Sequence, residues 1–197
     1  MKLIKTSLIL LIIGLSSNVW AEETATISLS APKDLAAKVC PAPLWDNPKV
    51  IWKGAQDERA QKALGLQTKR GQDPIQVIAD PALSQIFDSA LKDLLQACGL
   101  NFVAKGDSNT PALEAQINQF SAGVEKQWVT GKATADSQIT LVVNKGQMSS
   151  SVTITSQIES KGLRKGKLKN IEKTLNDLLR DSLTNTLSSE SFIKLLK

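Results

Sequence analysis

The side chains that could carry out chemistry in this chain are carboxylates, serines, lysines and two cysteines, because the sequence contains no histidine. The most common general base is therefore missing, and neither a Ser-His nor a Cys-His nucleophile pair can form. A carboxylate pair or a Ser-Lys dyad remains. Asp57, Glu58, Asp73 and Asp80 fall in or beside predicted loops, but their spacing places no two of them in a shared cleft. We therefore predict a protein that is not an enzyme, with a histidine-free hydrolase as the least favoured alternative.

Cofactor and metal sites are not indicated by the sequence. Neither a G-x-G-x-x-G nor a G-x-x-x-x-G-K-[ST] phosphate-binding loop occurs. Two cysteines without histidine also fall short of the four N or S ligands that zinc normally takes. We predict no cofactor and no metal.

The two cysteines, Cys40 and Cys98, are predicted to form a disulfide. An exported chain meets an oxidising compartment, where an even number of cysteines is usually paired. The alternative is that Cys98 is a small buried apolar residue, since it also lies on the apolar stripe of a predicted helix.

A run of basic residues precedes and enters the last predicted helix. It comprises Lys161, Arg164, Lys165, Lys167, Lys169 and Lys173. A helix N-terminus presents unpaired N–H groups and a partial positive charge, so acidic residues are normally placed there, yet only Glu172 offsets these lysines. Such an end can bind anions. We predict contact with anionic lipid headgroups, lipopolysaccharide or an acidic partner surface; a solvated loop is the alternative.

The tryptophans of the chain after its first 21 residues are Trp45, Trp52 and Trp128. They could stack on a sugar or a lipid, but packing in the core or on a sheet face is more common for isolated tryptophans. We favour packing.

Residues 1–21 have the pattern of a secretory signal peptide. Lys2 and Lys5 precede an apolar run from Leu8 to Leu15, and Val19-Trp20-Ala21 suits signal peptidase. We predict cleavage between Ala21 and Glu22, with an uncleaved anchor as the alternative. The run is short for a bilayer span, so no transmembrane segment should remain after cleavage. No cysteine follows it closely enough for lipidation of the new N-terminus.

Cleavage would leave 176 residues, enough for one domain with a sizeable core. Loss of the two leader lysines reduces the net charge from +5 to +3, which does not indicate a nucleic-acid partner. We predict an exposed lead-in over residues 22–43 and a single domain over residues 44–197. The expected location is the periplasm, including the periphery of the outer membrane.

The clearest structural element is an amphipathic helix over residues 80–99. Asp80 and Pro81 suit its start, Gly99 suits its end, and apolar residues recur between them at a 3.6-residue period. Residues 113–117, 132–144 and 152–158 alternate as strands of an antiparallel meander, with a tight turn at Lys145-Gly146-Gln147. A second amphipathic helix follows. This order predicts an α+β fold in which two helices pack on one face of a mostly antiparallel sheet.

Five short motifs occur over roughly residues 50–195: Asp57-x-Arg59, Leu64-Gly65, Ala90-Leu91-x-x-Leu94-Leu95-x-x-x-Gly99, Asn170-Ile171 and Phe192-Ile193. In these motifs the chain resembles the YajG-type family of bacterial envelope lipoproteins. It departs from the family pattern in lacking the lipobox cysteine. The resemblance implies an accessory role in an envelope assembly for transport, secretion or flagellar function.

The leading prediction is therefore a structural component that docks on a larger envelope protein complex. The alternative is a binder or carrier of an anionic or amphiphilic envelope ligand. A roomy apolar pocket between helices and sheet would favour the binder, whereas a filled core with an exposed sheet edge would favour the docking protein.

Overall fold

The structure is a computed structural model that describes residues 24–32, 34–67, 73–125, 131–163 and 168–196. The described elements form one mixed sheet with helices against it. In chain order they are β1 (Thr24–Ile27), α1 (Leu35–Val39), β2 (Lys49–Asp57), β3 (Gly65–Gln67), β4 (Ile75–Ala79), α2 (Leu83–Ala97), β5 (Asn101–Phe102), β6 (Ala112–Glu125), β7 (Gly131–Lys145), β8 (Met148–Leu163), α3 (Leu168–Ser188) and α4 (Glu190–Leu195). The α+β class is as predicted.

Strand β6 is the centre of the sheet. One of its edges pairs with β7, which pairs in turn with β8, and both pairings are antiparallel, as the meander predicts. The other edge is shared, because β2 runs parallel to the first half of β6 and β3 meets it at Ala122. Strand β4 then joins β3, and β1 joins β4. The parallel pairs make the sheet mixed.

Helix α2 buries the predicted apolar stripe, including Phe87, Leu91 and Leu95. It begins at Leu83 with Ala82 as the N-cap residue, so the prediction that Asp80 caps it is wrong. Asp80 lies three residues before Leu83 and instead continues the pairing of β4 with β1, since its backbone N–H donates to the Ile27 carbonyl, 3.1 Å away. Pro81 also precedes the helix and is not its first residue. At the other end, Gly99 has a φ of +108°, in the left-handed region that glycine tolerates.

The prediction of an exposed lead-in over residues 22–43 is wrong for the part that the structure describes. Ile27, Leu29 and Leu35 are buried in the common core because β1 extends the sheet and α1 packs on α2 and α3. Asn176 of α3 holds the chain after β1: its side-chain amide donates to the Ser28 carbonyl (3.1 Å) and accepts from the Ser30 N–H (2.8 Å). Strand β1 and helix α1 are thus part of the domain.

The core lies between the helices and one face of the sheet. Phe87 of α2 and Phe120 of β6 meet edge to face with ring centroids 5.5 Å apart, while Leu175, Leu178 and Leu179 of α3 cover the meander. Among the described residues, no helix has the length and apolar character to cross a bilayer.

Candidate functional site

Arg59 lies between two pairings on the same edge of β6: the pairing with β2 ends before it, and the pairing with β3 begins after it. The pairing of β2 ends when the Glu58 N–H donates to the Ile117 carbonyl (3.0 Å), and pairing resumes when the Ala122 N–H donates to the Leu64 carbonyl (2.7 Å). The register of β6 shifts between these points. The arginine fills the gap, since its Nη1 donates to the Phe120 carbonyl at 2.8 Å.

The guanidinium of Arg59 is held on all sides by the protein. Its Nε and Nη2 donate to the two carboxylate oxygens of Asp57, each at 2.8 Å. The remaining N–H groups reach the carbonyls of Lys62 (3.1 Å) and Ala63 (3.4 Å). An arginine has five N–H donors, and these contacts together with Phe120 use all of them. The pair is therefore a structural clamp.

A cavity of about 180 Å³ adjoins this clamp. Its lining is mixed: the polar members are Arg59, Gln61, Asn118, Gln119 and Ser121, and the apolar members are Ala60, Ala63 and Phe120. Because Arg59 has no donor left over, the cavity does not offer the free cation that an anion site needs.

Because of the clamp, the free energy of unfolding should depend on pH in the acidic range. Burial alone would raise the pKa of the Asp57 carboxyl. The hydrogen bonds and positive charge of Arg59, together with the charge of Lys62, lower this pKa by more than burial raises it, so it lies below the ordinary 3.8. The stabilisation is then fully present above the unfolded-state pKa of about 3.9 and is lost as pH falls through the lower folded-state pKa.

We expect the free energy of unfolding to fall with acidification below about pH 4, with Asp57 supplying part of that fall. The stability gap between wild type and Asp57→Asn, measured by urea unfolding from pH 7 to pH 2, should narrow over this range. Asp73→Asn, which changes an exposed carboxylate, is the matched control. A gap that stays constant with pH would contradict the assignment.

The carboxylates that the sequence singles out do not assemble into a catalytic pair. Both oxygens of the Asp57 carboxylate accept hydrogen bonds from Arg59. Glu58, Asp73 and Asp80 are exposed. Within the described ranges, no group of three or more potential ligands is placed to hold a metal ion.

Cys40 and Cys98 form a disulfide, with Cα atoms 5.4 Å apart. It ties the end of α1 to the end of α2. The Leu44 N–H donates to the Cys98 carbonyl at 2.8 Å, and the next residue, Gly99, lies so close to the Trp45 carbonyl that a Cβ there would collide with it. The chain after Cys40 is thus packed tightly on the end of α2.

Two of the tryptophans have packing roles, as favoured from the sequence. Trp45 is buried edge to face against Phe192 (ring centroids 5.8 Å apart), and the indole of Trp52 donates to the Asp88 carboxylate at 2.8 Å. A shallow cleft of about 530 Å³ beside Trp45 is lined by Pro43, Leu44, Asp46, Pro48 and Leu196. Trp128 lies outside the described residues.

The structure describes only part of the predicted basic run. Lys161 falls in β8, and Lys169 and Lys173 lie on the exposed surface of the first turns of α3. Lys173 pairs with Asp177 at 2.9 Å. Arg164, Lys165 and Lys167 lie outside the described residues, as does the predicted cleavage point between Ala21 and Glu22.

Strand β8 forms an open edge of the sheet. Among the described strands it pairs only with β7, and its residues 148–158 contain no charged residue, proline or glycine. The side chains of Ser151, Thr153 and Thr155 point away from the core and are exposed. Edge strands commonly carry charges, prolines or bulges that prevent further pairing, and this stretch has none of them.

Two residue roles were missed from the sequence. The first is the clamp formed by Asp57 and Arg59, which the sequence analysis used only as a motif of resemblance. An acidic and a basic residue two positions apart beside the end of a strand could have indicated it. The open β8 edge could not be foreseen, because a sequence pattern does not say which strand is outermost.

Comparison with protein families gives a match over residues 52–197 to a family model described as "Uncharacterized lipoprotein". No curated protein matches the chain. Among solved structures, an uncharacterized protein is 12% identical, with 84% of this chain and 98% of that chain covered and a TM-score of 0.45.

Two further solved structures are similar to the chain. A putative neuraminyllactose-binding hemagglutinin homolog from Helicobacter pylori is 10% identical, with 79% of this chain and 89% of that chain covered and a TM-score of 0.44. Rare lipoprotein B from Shewanella oneidensis is 5% identical, with coverage of 71% and 88% and a TM-score of 0.40. Similarity this low does not carry a functional conclusion.

Proposed function

Because the chain belongs to the lipoprotein family whose model matches residues 52–197, we propose that it is a non-enzymatic accessory protein of the bacterial envelope that docks on a larger protein complex. We take the family to be the YajG type that the sequence resembles. The proposed location is the periplasm, at or near the outer membrane.

The filled core supports docking over ligand carriage. Large side chains from α2, α3 and β6, among them Phe87, Leu178 and Phe120, occupy the space between helices and sheet and are almost fully buried. The two cavities described above are bordered by loops near Arg59 and Trp45 and are not enclosed within this layer. A carrier of an amphiphilic molecule needs a large apolar cavity, and in the described part of the chain neither of these two cavities lies between the helices and the sheet.

The observation that carries the proposal is the open edge of β8. A partner chain in extended conformation can add to such an edge through backbone hydrogen bonds, and its side chains then meet the exposed serines and threonines. The uncharged stretch over residues 148–158 is long enough for a full strand of ordinary length.

We expect Thr155→Lys to weaken docking, because a charge on an edge strand disfavours the addition of another strand. The control is Gln138→Lys: Gln138 lies directly opposite Thr155 on β7, is also exposed, and belongs to an inner strand. Mild crosslinking and pull-down from cell envelopes should recover the partner complex with Gln138→Lys and lose it with Thr155→Lys. Equal recovery with both variants would exclude the β8 edge as the docking surface.

The second candidate function is binding of an anionic envelope ligand by the basic run. It is favoured by the start of α3, where Lys169 is exposed and the first turn contains no acidic residue. The proposed binding residues are Lys161, Arg164, Lys165, Lys167, Lys169 and Lys173, and the ligand class is phosphate-bearing lipid or lipopolysaccharide.

We expect the triple substitution of Lys165, Lys167 and Lys169 to glutamine to weaken association with the envelope and leave folding intact. The attraction should also fade as salt rises, because exposed charges are screened over about 8 to 10 Å at physiological ionic strength. Co-fractionation with membranes at low salt is the measurement. If the triple variant co-fractionates as well as wild type, the run is a solvated loop.

A further inference from the structure

The open edge of β8 is regular as well as uncharged. From Met148 to Ser160, β8 pairs with β7 without a shift in register. Its side chains therefore alternate strictly: the even-numbered residues lie on the face that carries the core, and the odd-numbered residues from 149 to 157 are all exposed on the other face. A bulge would bend the edge away from a further strand, and the pairing of this stretch contains none.

Apolar surface remains uncovered along this edge. Met148 is 69% exposed, and Val152 and Ile158, which pack on the core, are only half-buried. Between these apolar residues, Ser156 uses its hydroxyl to accept a hydrogen bond from Asn185 of α3 at 2.7 Å. A strand that covers the edge should therefore present apolar side chains opposite the apolar positions and polar side chains opposite the others.

A second copy of β8 meets this requirement when the two strands pair antiparallel about Thr153. A two-fold axis there places each residue opposite the one at the same distance on the other side of the axis. The resulting pairs match in polarity and are Met148 with Ile158, Ser149 with Gln157, Ser150 with Ser156, Ser151 with Thr155, Val152 with Ile154, and Thr153 with itself. An axis at Val152 places Ser150 opposite Ile154, and an axis at Ile154 places Ser150 opposite Ile158. The edge is thus self-complementary at Thr153 and not one residue to either side.

We propose that the free protein is a dimer in which two β8 edges pair antiparallel about Thr153 and join the two sheets into one. The inference rests on the proposed function in using the same open edge, and it names what covers this edge before the protein docks. Self-pairing brings no like charges together, because residues 148–158 carry none. Threonine and serine pairs on the exposed face stabilise such strands further. The second copy then has to leave before a partner strand can bind.

Crosslinking at a single added cysteine tests the register. In the proposed dimer the two copies of residue 153 lie directly opposite each other, with Cα atoms about 4.5–5.5 Å apart, which is within disulfide range. We expect Thr153→Cys to form a covalent dimer under mild oxidation on a non-reducing gel. Thr155→Cys is the matched control, because it is equally exposed on the same strand. Its two copies lie four strand positions apart, about 14 Å, and should not crosslink.

Charges at the same position give a second test, by analytical ultracentrifugation of the purified protein. Thr153→Lys and Thr153→Glu each place like charges opposite each other, so each variant alone should dimerise more than about tenfold more weakly than wild type. An equimolar mixture of the two variants pairs opposite charges and should restore the dimer. Gln138→Lys, which changes an exposed residue of the inner strand β7, should dimerise as wild type does.

Two results would overturn the inference. Wild type that stays monomeric at every protein concentration tested has no second copy on its β8 edge. A wild-type dimer with equal crosslinking of Thr153→Cys and Thr155→Cys uses another surface. Both results leave the proposed docking intact, provided that the pull-down still loses the envelope complex with Thr155→Lys and keeps it with Gln138→Lys. Conversely, crosslinking of Thr153→Cys alone, with equal recovery of the complex by both lysine variants, supports the dimer and excludes β8 as the docking surface.

Discussion

Substitution of Arg59 by methionine should destabilise the protein by about 3–5 kcal/mol. Methionine keeps much of the length of the side chain but removes every donor. The Asp57 carboxylate, of which 16% of the side-chain surface is exposed, would then remain in the fold without its main partner. Breaking a buried pair from one side costs this much because an uncompensated charge stays behind. The Phe120 carbonyl would lose its donor as well.

The matched control for this prediction is Lys62→Met. Lys62 also approaches Asp57, at 3.5 Å, but 61% of its side chain is exposed, so its loss should cost less than about 1 kcal/mol. The double variant Asp57→Asn/Arg59→Met should be less destabilised than Arg59→Met alone, because the stranded charge is gone. The measurement is urea unfolding at pH 7 of wild type, the two single variants and the double variant. If Arg59→Met and Lys62→Met lose equal stability, Arg59 is not a clamp.

Loss of the disulfide should cost about 4 kcal/mol. Cys40 and Cys98 are 58 residues apart, and closing a loop of this length restricts the unfolded chain by about that amount in the loop-entropy account. The measurement is denaturant unfolding of wild type with and without reductant, followed by thiol counting on the unreduced, denatured protein. We expect no reactive thiol before reduction.

The control for the disulfide is Cys40→Ala/Cys98→Ala. Its unfolding midpoint should match that of reduced wild type and should not respond to reductant. Two reactive thiols in the unreduced protein would show that the cysteines are unpaired, and an unchanged midpoint on reduction would show that the pair does not stabilise the domain.

Local patterns in the sequence predict the elements whose signals are periodic. The stripe of α2, the alternation of β6 to β8 and the turn at Gly146 each require only neighbouring residues to be recognised. The two amphipathic helices on one side of a sheet follow from the same patterns, because each has a single apolar face to bury.

Pairings between distant residues could not be predicted in this way. Nothing near Ile51 indicates that its strand lies parallel to Ala112, and nothing near Thr24 indicates that it pairs with Gln76. The segment before Cys40 is rich in Ala, Thr, Ser, Lys and Pro and alternates only weakly, a pattern that predicts an exposed lead-in and does not reveal that Ile27, Leu29 and Leu35 are buried. Their burial depends on α3, which is more than 130 residues away.

The sharing of β6 between two strands also leads us to expect a particular order of folding. The β6–β7–β8 meander joins neighbours through short connections, and contacts of this kind form quickly. Strands β2 and β3, which precede β6 in the chain, must close much longer loops to reach its free edge. Strands β2 and β3 are synthesised before β6, so we expect their edges to stay unpaired with β6 until the meander is complete.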